Sequence, residues 1–152
     1  MVRIDQSITI EKSIEDVFGY IQEINRQPEW ASALQESVKM SGGSTGVGTA
    51  YRQVAKLLGR RIEMSCEVTR YEPPRVFEFH VQGGPMHGHM RFTLTTDGNG
   101  TRIDHVAEGE PGGIFRIADS LAARGMKKQF ATDLENLKLL LESGLAAEPA
   151  AE

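Results

Sequence analysis

All four histidines of this 152-residue chain fall in one stretch, "YEPPRVFEFHVQGGPMHGHMRFTLTTDGNGTRIDH", residues 71–105. Three of them, His80, His87 and His89, lie close together in it. Clustered imidazoles are candidate ligands for a zinc-like ion. A single imidazole, such as His105, is a candidate proton carrier near neutral pH. The one cysteine, Cys66, is a candidate nucleophile if a basic neighbour lowers its pKa. Which role each residue fills depends on the strand face it occupies.

Those faces follow from period-two alternation. In "RIEMSCEVT", Ile62, Met64, Cys66 and Val68 share one face, and Arg61, Glu63, Ser65 and Glu67 the other. In "FEFHV", Phe77, Phe79 and Val81 form the apolar set, so Glu78 and His80 point outward. In "HMRFTL", Met90, Phe92 and Leu94 are apolar, so His89, Arg91 and Thr93 point outward. Opposed residues of an antiparallel pair share a face. The apolar sets match only with Phe79 opposite Met90 and Phe77 opposite Phe92. That register sets Glu78 opposite Arg91, as an exposed ion pair, and His80 opposite His89. The next hairpin, through "DGNG", sets Leu94 opposite Ile103 and Phe92 opposite His105.

Three histidines are therefore predicted on the wet face and one inside. A flat wet face gives a metal neither a rigid third ligand nor a second shell, so we read His80, His87 and His89 as solvated and predict no metal site. His105 has two readings: a core histidine held by one hydrogen bond, or a ligand-facing imidazole. Cys66 has no basic neighbour in this register and reads as a buried structural thiol.

The elements that carry these residues are legible along the rest of the chain. "VRIDQSITIE" alternates as a half-buried strand, with Gln6 the one polar residue on its apolar side. Ser13 is placed to cap a helix through "SIEDVFGYI", with Asp16 at the capping-box position. A second short helix is predicted over 23–30, interrupted by Pro28. Strands follow at 34–40, 47–56, 61–71, 75–82, 87–96 and 101–109, separated by turn chemistry such as "SGGSTG", "LLG" and "EPP". Helical spacing at Phe130, Leu134, Leu137 and Leu141 predicts a last helix of about 29 residues, on the order of 40 Å long. Gly125 is a place for a kink or a close contact. The tail over 144–152 lacks a pattern and is predicted to fray. Residues 1–143 read as one domain.

Composition narrows the function. The net charge is −4, and no basic run tracks a phosphate backbone, so no nucleic acid is expected. No apolar run reaches a membrane span, so no membrane insertion is expected. With no apolar signal core and one cysteine, a cytoplasmic protein is expected, as monomer or homodimer. "SGGSTGVG" lacks the Lys-Ser/Thr end of a phosphate loop. Arg124, Lys127 and Lys128 read as the solvated face of the last helix.

The order of elements resembles the helix-grip fold of the START and birch-pollen-allergen superfamily (SRPBCC), in its polyketide cyclase/dehydrase-like branch. The stretches that carry the likeness are "IEKSIEDVFGYI", "PEW", "GVGTAYR", "CEVTRYEPPRVFEF", "GTRIDH" and "EGEP", within residues 3 to 142. The resemblance implies an α+β fold: a curved antiparallel sheet of about seven strands around the long helix, two short helices after the first strand, and a cavity between sheet and helix. It implies binding or transport of a small hydrophobic molecule, whether lipid, polyketide or quinone-like, with no cofactor. The alternative is an aromatase/cyclase or dehydratase using the same cavity, and no catalytic residue carries over from the branch.

On the faces derived above, the cavity wall would take Met64, Cys66, Phe77, Phe79, Met90, Phe92 and Ile103 from the sheet. Ile117 and Leu121 would come from the helix. Tyr51, Gln53 and His105 are its polar candidates; a slip of one residue would put Arg52 in place of the first two. Trp30 would gate the mouth or pin the second helix. Cyclase chemistry needs an acid–base pair, and this reading finds no inward carboxylate.

Overall fold

The computed structural model describes residues 2–57, 59–83, 86–109 and 119–144, with the side chains of 2, 57, 86 and 119–123 left aside. Seven strands form one antiparallel sheet: β1 (Val2–Ile10), β2 (Leu34–Lys39), β3 (Ala50–Leu57), β4 (Arg60–Glu72), β5 (Val76–Gly83), β6 (Met86–Asp97) and β7 (Gly100–Gly109). Their order is β1-β7-β6-β5-β4-β3-β2. The chain meanders from β2 to β7, and β1 pairs with β7. Between β1 and β2 lie α1 (Ile14–Ile21) and a 3-10 helix at Ile24–Glu29. α2 (Asp119–Ser143) closes the fold. This is the helix-grip arrangement.

Local chemistry sets each element. The Ser13 hydroxyl caps α1 by accepting from the Asp16 N–H at 3.2 Å, and Val17, Phe18, Tyr20 and Ile21 are buried beneath the helix. Pro28 sits in the 3-10 turn. Gly59, at φ 77°, permits the tight β3–β4 hairpin in which Leu57 opposes Arg60. That hairpin sends Tyr51 and Gln53 inward, opposite Cys66 and Met64. Arg52 stays outside, between Glu36 and Glu63. Bulges in the β2–β3 and β4–β5 pairings bend the sheet. At Gly88 a Cβ would collide with the Glu108 carbonyl of β7, so only glycine allows that approach.

α2 runs unbroken through Gly125, whose missing Cβ would meet open space, so the residue causes neither a break nor a close contact. Leu134, Leu137 and Leu141 are buried against the sheet. Polar ties hold the helix to the first third of the chain: Lys138 Nζ donates to the Thr9 carbonyl, the Glu11 N–H to Glu142, and Asn136 Nδ2 to the Trp30 carbonyl. The expectations for residues 110–118 and for the tail beyond Gly144 fall outside the described residues.

The derived register is the observed one. Phe79 opposes Met90, Phe77 opposes Phe92, and His80 opposes His89. Leu94 opposes Ile103, and Phe92 opposes His105. Glu78 does face Arg91 across the strands, yet its ionic contact is with His89, at 3.7 Å. The His89 ring reaches between two carboxylates and meets Glu108 at 3.0 Å. His80 and His87 meet edge to face, with centroids 5.2 Å apart. Among the described residues, no three His, Cys, Asp or Glu side chains converge as metal ligands.

This outer row is expected to contribute little to stability, since partly exposed ion pairs are weak. Replacing both His80 and His89 with Ala should change the unfolding free energy by only about 0.5 kcal/mol, the usual size for surface sites. Urea denaturation checks it, and a loss of several kcal/mol would contradict the placement.

Candidate ligand cavity

A cavity of about 90 Å³ lies between the concave face of the sheet and α2. Its sheet wall is built from Gln53 and Ala55 on β3, Met64 on β4, Phe79 and Val81 on β5, Met90 and Phe92 on β6, and His105 on β7. α2 contributes Met126, Gln129, Phe130, Asp133 and Leu134. The connection after α1 contributes Gln27, Trp30, Ala31 and Ala33, and β2 contributes Leu34. Three alanines on the wall leave room that larger residues would fill. Trp30 packs edge-on against Phe92, with centroids 6.2 Å apart, and so both lines the cavity and holds the connection in place.

Of the residues expected here from the sequence, Gln53, Met64, Phe79, Met90, Phe92 and His105 come together on this wall. Tyr51, Cys66, Phe77 and Ile103 are buried beside it but do not line it. Ile117 and the Leu121 side chain lie outside the described residues.

The polar members are of two kinds. One set is satisfied. Gln53 Nε2 donates to Gln27 Oε1 at 2.7 Å and to Ser37 Oγ at 3.2 Å, and Gln53 Oε1 accepts from the Cys66 thiol at 3.2 Å. Burial pushes the Cys66 pKa up to about 12, so the thiol stays protonated and structural.

The second set is titratable. His105 is 3% exposed, with its ring centroid 4.7 Å from Phe92 and 5.5 Å from Phe130. Burial lowers its pKa to about 4, against a weaker pull upward from Asp5. Its Nδ1 is buried with no hydrogen-bond partner among the described residues. The simple core reading, an imidazole held by one hydrogen bond, thus finds no bond at Nδ1. Asp133 is 5% exposed, and burial raises its pKa; the N–H and hydroxyl of Ser32, both donating to Oδ1 at 3.1 Å, work against that rise.

Asp133 is the inward carboxylate that the sequence reading did not find. The signal was available: Asp133 follows Phe130 by three residues and precedes Leu137 by four, so it flanks the apolar stripe of α2. The wall alanines carried no such signal, because a small residue on an inward face reads as packing.

Comparison with known proteins adds the following. A family model described as "Polyketide cyclase / dehydrase and lipid transport" matches residues 1–142. No curated protein matches the sequence. Among solved structures, the fold is similar to a protein from Thermus thermophilus, with TM-score 0.80 and 16% identity over 96% of this chain and 99% of that one. It is similar to a START superfamily protein from Mycobacterium smegmatis, with TM-score 0.72 and 15% identity over 93% and 99% of the two chains. It is also similar to Ara h 8.0201, with TM-score 0.62 and 13% identity over 89% and 97%. At these identities the likeness speaks for the fold alone.

The state of His105 has a measurable consequence. Its folded pKa of about 4 lies below the value of about 6.5 in an unfolded chain, so the unfolded state takes up the proton first as pH falls. Stability from this group is full above pH ~6.5 and drains away between there and pH ~4, by roughly 3 kcal/mol. The protein should therefore lose about that much more stability than His105→Gln between pH 7 and pH 4, read by urea denaturation at both values. Parallel losses in the two proteins would contradict a buried neutral imidazole.

Proposed function

The chain belongs to the polyketide cyclase / dehydrase and lipid transport family, and we propose on that footing that it binds or transports a small hydrophobic molecule, a lipid, polyketide or quinone-like compound, in the cavity under α2. The observation that carries this reading is the wall itself: apolar on most sides, with a few convergent polar groups, which is the usual make-up of a small-molecule site. At about 90 Å³ the space equals roughly three waters and is well below the ~300 Å³ of ordinary ligand pockets. A ligand must therefore displace side chains as it enters. Met64, Met90 and Met126 suit that task, since unbranched thioether chains repack at low cost. The protein acts in the cytoplasm, as monomer or homodimer. Among the described residues no helix is long and apolar enough to cross a membrane.

A second reading, an aromatase/cyclase or dehydratase, gains support from one observation. His105 and Asp133 line the same cavity, and burial pushes their pKa values toward each other. Such a pair supplies one group to take a proton and one to give it. Mass spectrometry of small molecules that co-purify with the protein tests binding, and turnover of a recovered molecule separates the two readings.

Filling the space should remove binding without unfolding the protein. Ala55, on the cavity wall, is 2% exposed. Ala55→Leu adds three carbons to an open space, so it should cost less than about 1.5 kcal/mol. It should weaken an apolar fluorescent probe at least about tenfold, by titration. Unchanged affinity would place ligand binding elsewhere.

A further inference from the structure

Two buried side-chain polar atoms lack a hydrogen-bond partner among the described residues: Gln6 Nε2 and His105 Nδ1. They are not scattered. Gln6 and His105 oppose each other directly in the β1–β7 pairing, so their side chains stand on the same inner face, about 5 Å apart at Cβ. Gln6 is also the one polar residue on the inward side of β1. His105 lines the cavity; Gln6 is not on its wall but stands beside it as the cross-strand neighbour of His105, so a ligand reaches the Gln6 amide only as side chains give way. An unmade hydrogen bond in a buried place is costly, and two on neighbouring residues mark a place built for a third party.

We propose that Gln6 and His105 form the head-group site of the cavity, and that the group they take is the hydroxyl of an otherwise apolar alcohol or phenol. This rests on the cavity reading above and names its ligand class. The group must accept a hydrogen bond from the Gln6 amide. It must also answer His105 in whichever tautomer the neutral ring adopts. A hydroxyl both donates and accepts, so it serves both partners in either case. An ammonium cannot accept from Gln6. An ether or hydrocarbon cannot donate to His105. A carboxylate would bring a negative charge into an apolar chamber whose described wall contains no Lys or Arg to answer it.

Three matched probes test this on the full chain by isothermal titration calorimetry: 2-naphthol, 2-methoxynaphthalene and 2-naphthoate. The naphthol should bind about five- to tenfold more tightly than its methyl ether, the worth of one hydrogen bond. The naphthoate should bind at least about tenfold more weakly than the naphthol. Gln6→Met, close in shape and without the donor, should lower naphthol affinity to near that of the ether and leave the ether unchanged. His105→Leu should do the same. Equal affinity of naphthol and ether in the unaltered protein, or selectivity that survives Gln6→Met, overturns the proposal and leaves the cavity reading standing. If none of the three binds, the cavity reading falls and the head-group site falls with it.

Discussion

One constraint governs the molecule: a single sheet has one apolar face, and the helices must cover it. A sheet left bare on that side would expose Phe77, Phe79, Phe92, Leu94 and Ile103, all now buried. α1 covers part of it, with Phe18 edge-on to Phe77 at 6.2 Å; the longer cover is α2, through Leu134, Leu137 and Leu141, and its position is set by ties at Thr9, Glu11, Ser32 and Trp30. Those ties reach into β1 and the connection after α1, so the first third of the chain locates the last element. The curvature follows from the same demand. A flat sheet would touch a cylinder along a line; bulges at the β2–β3 and β4–β5 pairings, and glycine at 88, let it bend. Where the curve and the helix fail to meet, space remains.

The strand faces were legible because period-two alternation leaves no freedom once one face is apolar. A one-residue slip would have buried Glu78 and His80 and exposed Phe77 and Phe79. Matching those two rings to Phe92 and Met90 therefore fixed three hairpin neighbours at once, and with them the inward placement of His105. Gln53 against Arg52 was decided the same way, through a hairpin that Gly59 keeps short. The ion partners were not legible. Register brings Glu78 opposite Arg91, but side-chain reach lets His89 take the contact. The cavity was half legible. Parity says which residues face inward, not which of them touch one another, and so Tyr51, Cys66, Phe77 and Ile103 were grouped with a wall they stand beside. Space depends on volumes summed over distant elements, and the alanines at 31, 33 and 55 open it from two separate elements.

The interior treats its polar groups in two ways, and the contrast is informative. Gln27, Gln53, Ser37 and Cys66 form a closed chain of donors and acceptors, which holds the connection after α1 against β2, β3 and β4. That chain has geometry for a structural purpose and needs nothing further. Asp133 is partly answered by Ser32, on one oxygen. Gln6 Nε2 and His105 Nδ1 are not answered among the described residues. Each such atom costs about 1–3 kcal/mol relative to a paired one, a sizeable share of a domain's net stability of about 5–15 kcal/mol. Apolar residues of similar shape would have removed the cost, and the flanking rings of Phe92 and Phe130 show that the surroundings would accept them.

Family membership explains the layout and stops there. The likeness to START-type structures runs through strands, turns and the closing helix, none of which names a ligand. What distinguishes this chain is the set of side chains on the common wall. An apolar chamber with a neutral imidazole at His105 and no cationic side chain on its described wall leaves a buried anion unpaired, which is costly. Fatty acids and other carboxylates would enter such a space only by giving up their charge. Neutral molecules meet no such barrier, and under the proposed function the wall would discriminate among them by whether they satisfy the atoms left open. On the proposed reading, selectivity would arise from what burial does to three or four polar groups, and the methionines around them would govern how large a molecule is admitted.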